Sequence, residues 1–165
     1  MLSILTIGHS NHSAGKFAGL VAAHAIEVVA DTRTYPYSRF SPQFNSGRLR
    51  ALLAAHGVRY LYLGKELGGR VRAEPQVFAS GVARLIEEAA SRRVTVLCAE
   101  EDPNRCHRRL LITPALVERG VRVLHIRGDG RVESEEELAR AEAPLYEQSR
   151  SHVHPDRTTS VTKQS

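Results

Sequence analysis

Residues 94–109 read VTVLCAEEDPNRCHRR, a short apolar run that stops at a cluster of reactive and charged side chains. Val94, Val96 and Leu97 suit a buried strand. Asp102 followed by Pro103 reads as a helix N-cap and a first helical residue whose missing N–H does no harm. The stretch is therefore a strand feeding a helix, and it gathers Cys98, Glu100, Cys106, His107 and Arg108 at one corner. In an open α/β sheet, that corner is where ligands bind.

Working outward, four more apolar runs, at 2–7, 26–30, 58–63 and 121–126, alternate with stretches of helical spacing. Behind Ser13, the residues Phe17, Leu20, Val21 and His24 share a helical face, and Phe78, Val82, Leu85, Ile86 and Ala89 do the same after Pro75. Residues 46–56 form a helix stopped by Gly57, and Leu110 to Val117 form another that Pro114 kinks before Gly120 ends it. This alternation predicts an α/β fold: a single three-layer domain with a mainly parallel five-stranded sheet, helices on both faces and right-handed crossovers. The domain is expected over 1–130. Residues 131–165 read as a charged extension, helical over 133–148 and disordered from 149.

With 165 residues, 42% of them hydrophobic, the chain can bury one core. No stretch approaches the roughly 20 apolar residues that span a bilayer, and residues 1–10 lack the basic start and long apolar middle of a signal peptide. A cytoplasmic protein without membrane association is expected. Two cysteines do not make a disulfide framework and read as thiols, ligands or catalytic groups. Residues 1–130 carry 18 basic against 11 acidic side chains, whereas 131–165 carry 5 against 7, so the folded body is the basic part. Of the 23 basic residues of the whole chain only Lys16, Lys65 and Lys163 are lysine, and arginine is the better bidentate partner of phosphate. Such a surface suits an anionic small molecule or nucleic acid, and equally a simply solvated one.

The ends of parallel strands share one sheet edge, and here they carry Gly8-His9-Ser10, Asp31-Thr32-Arg33, Gly64-Lys65, Cys98 with Glu100, and His125 with Arg127. Thiol, imidazole, carboxylate and guanidinium together are the ingredients of a site. Cys106, expected in the first turn of its helix, would be favoured as thiolate by the free N–H groups and by Arg105, Arg108 and Arg109. It reads either as a nucleophile served by His107, His9 or His125, or as a small buried residue. Cys98 reads more simply as a core thiol. Glu100 is a candidate general base or a buried ion-pair partner of Arg33 or Arg108. No CxxC or HxxxH spacing occurs, so no metal centre is assigned.

A second informative stretch is 31–50, DTRTYPYSRFSPQFNSGRLR, which holds Tyr35, Tyr37, Phe40 and Phe44 among Arg33, Arg39 and Arg48. Rings beside guanidinium groups suit base stacking with phosphate contact, or else the loop folds back to plug the sheet edge. Without G-x-G-x-x-G or a P-loop, ordinary dinucleotide or nucleoside triphosphate binding is not expected, and no cofactor is assigned.

TIGHS at 6–10, DTRTYPYSRFSPQF at 31–44, LGG at 67–69, LCAEEDPNRCHRR at 97–109 and the late HI at 125–126 together resemble the domain-of-unknown-function 488 family. The likeness runs in order from about residue 4 to residue 127. It implies a small bacterial or archaeal α/β domain with signature positions His9, Ser10, Asp31, Arg33, Pro36, Ser38, Cys98, Glu100, Cys106, His107 and Arg108, and it implies no reaction. The combined expectation is an enzyme acting on a phosphate-bearing ligand. Cys106, Glu100, Asp31 and His107 are its catalytic candidates, and His9, Ser10, Arg33, Ser38, Arg39 and Arg108 its ligand-binding candidates. The competing readings are a non-catalytic nucleic-acid-binding module and a thiol redox or metal sensor.

Overall fold

The apolar runs become strands. β1 (Ser3–Gly8), β2 (Val28–Asp31), β3 (Arg59–Tyr62), β4 (Val94–Cys98) and β5 (Arg122–Ile126) pair in parallel in the order β3-β2-β4-β1-β5. A sixth strand, β6 (Val132–Ser134), adds antiparallel to β5 beyond the turn Gly128-Asp129-Gly130. The sequence reading expected five strands, because three residues are too few to show a period of two. The computed structural model describes residues 1–150, with side chains described to 143.

The helices follow their apolar faces. α1 (Ala14–Ala23) is capped by Ser13, whose hydroxyl accepts from the Lys16 N–H, and α2 (Ser46–Ala55) follows the aromatic loop. These two cover one face of the sheet, packing Phe17, Val21, Leu49 and Leu53 on Leu5, Ile7, Val29 and Leu97. After the short α3 (Gly64–Leu67) come α4 (Pro75–Ala89) and α5 (Thr113–Glu118), which cover the other face. There Val82, Leu85, Ile112 and Leu116 meet Ile4, Val28, Val96 and Val123. Each such fully buried Val, Leu, Ile or Phe side chain contributes roughly 1.5–3 kcal/mol.

At the central corner the expected helix starts late. The Asp102 carboxylate accepts from Asn104 N and caps only a 3₁₀ turn, Pro103–Arg105, after which Cys106 is extended at φ −121° and ψ 143°. The helix begins behind Cys106, whose carbonyl accepts from Arg109 and Leu110. Residues Arg108–Ile112 form a wide π turn before α5. Pro114 brings no N–H for the Leu110 carbonyl, and the chain ahead of it widens where a kink was expected.

The chain divides into two units, Met1–Glu135 and Glu136–Ser165. α6 (Glu135–Arg150) starts at the last residue of the first unit, two residues later than the helix expected over 133–148, and its other residues belong to the second. Of the tail expected from 149, residues 151–165 lie outside the described part. Among the described residues no helix is long and apolar enough to cross a membrane.

One consequence of strand order positions the site. β4 lies between β2 and β1. Those two neighbours send their chains to α2 and α1 on one face, whereas β4 sends its chain to α5 on the other. Adjacent strands that diverge in this way open a crevice at their C-terminal ends, the switch point where open α/β sheets bind ligands.

Candidate functional site

The parallel ladder continues past the strands and fixes the crevice walls. His9 N donates to Cys98 O at 3.0 Å, Ser10 N to Ala99 O at 2.8 Å, and Thr32 N to Leu97 O at 3.0 Å. Gly8 permits this approach, because a Cβ there would lie 1.7 Å from the Glu100 carbonyl oxygen. The resulting cavity measures about 330 Å³.

One wall is a hydrogen-bonded block rooted in Asp31, which is fully buried. The Arg33 Nε and Nη2 donate to its two carboxylate oxygens at 2.9 and 2.8 Å, and Tyr60 Oη donates to Oδ2 at 2.7 Å. Arg33 Nη2 also donates to Phe44 O at 2.8 Å, and Nη1 lies 3.3 Å from His9 Nε2. Four of the five guanidinium N–H groups are thereby engaged, and one at Nη1 is left for a ligand. His9 Nδ1 donates to Ser10 O at 2.7 Å, which makes Nε2 the acceptor toward Arg33. Burial, with the Arg33 charge, lowers the His9 pKa to about 4, so the ring is neutral. Phe44 stacks on it with centroids 4.7 Å apart.

The opposite wall carries the thiol. Cys106 lines the cavity and is joined to Cys98 of β4 as a disulfide. His107 Nε2 donates to Thr32 O at 3.1 Å, and its Nδ1 lone pair faces Cys106 Sγ at 3.6 Å. Burial lowers the His107 pKa and keeps the imidazole in its accepting form. Gly69 backs the ring so closely that a Cβ would stand 2.7 Å from His107 Cβ. Cys98 Sγ lies 3.5 Å from Glu100 O, an acceptor for its proton in the reduced state.

Of the catalytic and ligand-binding candidates named from the sequence, His9, Arg33, Ser38, Glu100, Cys106 and His107 line this cavity. The others stand apart. Asp31 lies beneath as the anchor of Arg33. Ser10 bridges loops, its carbonyl accepting from His9 and from Ser41 Oγ. Arg39 is exposed outside the cavity. Arg108 is fully buried, donates through Nη2 to Glu101 O at 2.6 Å, and has its pKa lowered by burial to about 10. The expected ion pair of Glu100 with Arg33 or Arg108 is replaced by one of its neighbour. Glu101 accepts from Arg127 at 3.0 and 3.2 Å and from Gly128 N at 2.8 Å, while Glu100 is exposed at the cavity mouth. Similarly, His125 does not approach the thiol and binds Thr6 Oγ1 at 2.7 Å and Glu135 at 2.9 Å.

The cavity is also lined by Arg70, Thr34 and Gly69, which are not site candidates in the sequence reading, and by Arg105, which is read there only as a charge favouring the Cys106 thiolate. Arg105 had a usable signal, being adjacent to Cys106. Arg70 follows the glycine pair but approaches only because Gly68 lets its loop close on Thr34, whose hydroxyl accepts from Arg70 N at 3.2 Å. Among the described residues no three His, Cys, Asp or Glu side chains converge as a metal site.

Fold and crevice together define the class: a mainly parallel α/β protein with a cysteine, two histidines and three arginines at the switch point of its sheet. The chain belongs to the family described as domain of unknown function DUF488, whose model matches residues 13–77 and 70–113. Comparison with curated proteins and with solved structures gave no match.

Proposed function

We propose that this protein is a thiol-dependent enzyme whose crevice takes a phosphate-bearing ligand, with Cys106 as nucleophile and His107 as its proton acceptor. The observation that carries this reading is the 3.6 Å approach of His107 Nδ1 to Cys106 Sγ, with the other ring nitrogen committed to Thr32. Arg70 and Arg105 line the cavity with that sulfur and supply positive charge against the Glu100 carboxylate, while Arg33, its charge paired with Asp31, offers its remaining N–H. A cluster of this kind holds an anion and favours thiolate.

In the reduced state Cys106 passes its proton to His107 Nδ1, and the thiolate attacks the phosphate-bearing centre. A bond to sulfur forms as the bond to the leaving oxygen breaks, and the imidazolium returns its proton to that oxygen. Water then releases the covalent intermediate, with His107 or Glu100 accepting its proton. Asp31 acts as a positioning residue, since it reaches the cavity only through Arg33, whereas His9 lines the cavity itself and faces Arg33 Nη1.

The test uses the reduced full chain. Iodoacetamide should label Cys106 rapidly near pH 7, a nucleoside 5′-monophosphate should protect it, and Arg105→Ala should weaken that protection. Across a panel of phosphate esters, Cys106→Ser should abolish turnover. Labelling at the rate of an ordinary thiol, without protection, would remove the assignment.

The joined sulfurs favour a second reading, a dithiol–disulfide centre in which Cys106 and Cys98 exchange with an external thiol. Cys98→Ser separates the two, because a nucleophilic enzyme keeps its turnover and an exchange centre loses it.

A further inference from the structure

The loop between β2 and α2 treats its aromatic residues in two ways. Phe44 is fully buried against His9 and Phe17, whereas Tyr35, Tyr37 and Phe40 are 60%, 70% and 94% exposed. The loop is not loosely held. Ser38 Oγ accepts from Phe40 N and Ser41 N, both at 3.1 Å, and Ser38 N donates to Asn45 Oδ1 at 2.8 Å. Ser41 Oγ and Gln43 Nε2 tie the loop to Ser10 O and His12 O. Three apolar rings are thus kept in water by a framework of hydrogen bonds, and Tyr35 and Tyr37 among them line the cavity.

Charge accompanies the rings. Arg39 is exposed next to Phe40, while Arg70 and Arg105 are exposed and line the cavity from other segments. A cavity of about 330 Å³ is at the small end of ligand sites and suits one nucleotide unit. A ligand of that size leaves Phe40 uncovered.

Resting on the reading of the crevice as a phosphate site, we propose that its ligand is a single-stranded nucleic acid. One nucleotide enters the cavity and its neighbours stack on Tyr37 and Phe40, with Arg39 on the backbone. Flat rings among guanidinium groups match the two faces a single strand offers, its unstacked bases and its phosphates. A duplex hides its base faces, and an acidic peptide has phosphate-like charge without rings to stack.

The experiment measures binding of the reduced full chain to 5′-phosphorylated dT₁₀ and U₁₀ by fluorescence anisotropy. A ten-pair duplex, phosphatidylserine vesicles and the matching mononucleotides are titrated in parallel. Each stacked base is worth about tenfold in affinity, so either ten-mer should bind at least tenfold tighter than its mononucleotide. The two sugars show which polymer is preferred. In Phe40→Ala the ratio of ten-mer to mononucleotide affinity should fall about tenfold, and affinity for the ten-mer should drop steeply with salt.

Equal affinity for ten-mer and mononucleotide, with Cys106 still protected from iodoacetamide, overturns this inference and leaves the phosphate site standing. Absence of protection by any nucleotide overturns both. Preference for duplex, or binding to the vesicles without binding to the ten-mers, overturns the single-strand assignment.

Discussion

Arg33 shows how much of the crevice is settled by individual side chains. Its guanidinium is almost wholly used in holding Asp31, Phe44 and His9, so its charge is fixed in place and only one N–H remains for chemistry. Removing Asp31 leaves that buried cation without its carboxylate. Asp31→Ala is therefore expected to cost about 3–5 kcal/mol in urea unfolding, against about 1 kcal/mol for Tyr60→Phe, which removes one hydrogen bond. Gly69 acts on the other wall. Because a Cβ there would press on His107, Gly69→Ala should slow iodoacetamide labelling of Cys106, by about a hundredfold if the ring moves by an ångström. An unchanged labelling rate would mean that His107 does not govern the thiol.

Among the elements, the ends of β1 and β4 and the start of the helix leading into α5 decide where the thiol sits. β1 can run beside the outgoing chain of β4 only because residue 8 is glycine, so Gly8→Ala should destabilise the fold by about 3 kcal/mol or more. Thermal unfolding would show whether the strand end tolerates the methyl group. At the start of α5 the Thr113 hydroxyl donates back into the π turn, to Arg108 O at 2.7 Å, in a buried setting. Thr113→Val should lose about 1 kcal/mol by the same measurement.

Over the whole molecule, three histidines from distant parts of the chain, His9, His107 and His125, are held neutral chiefly by burial. Each has a folded pKa below its unfolded value of 6.5. Unfolded chains therefore take up protons first, and the stability these groups contribute is complete above pH 6.5 and is lost as pH falls toward their folded values. For His9, lowered to about 4, the loss reaches about 3 kcal/mol. Urea midpoints measured from pH 7.5 to 4.5 should fall accordingly, and His9→Asn should flatten the fall. An equal slope in the variant would show that His9 titrates as freely in the fold as outside it.

The sequence by itself determined the α/β class, the five parallel strands within a residue or two, and the concentration of reactive groups at strand ends. These properties are written in local periodicity and in punctuation by glycine and proline. It also located Cys106, His107, Arg33 and Glu100 on one edge, since strand polarity alone puts them there. Tertiary structure decided the rest. Strand order put β4 between neighbours that cross to the opposite face, which a linear pattern cannot encode. The choice of Glu101 over Glu100 for the ion pair, the joining of Cys98 to Cys106 and the approach of Gly69 to His107 depend on distances between segments remote in the chain. Periodicity fixes which way a side chain faces within its own element, and only packing fixes what it meets there.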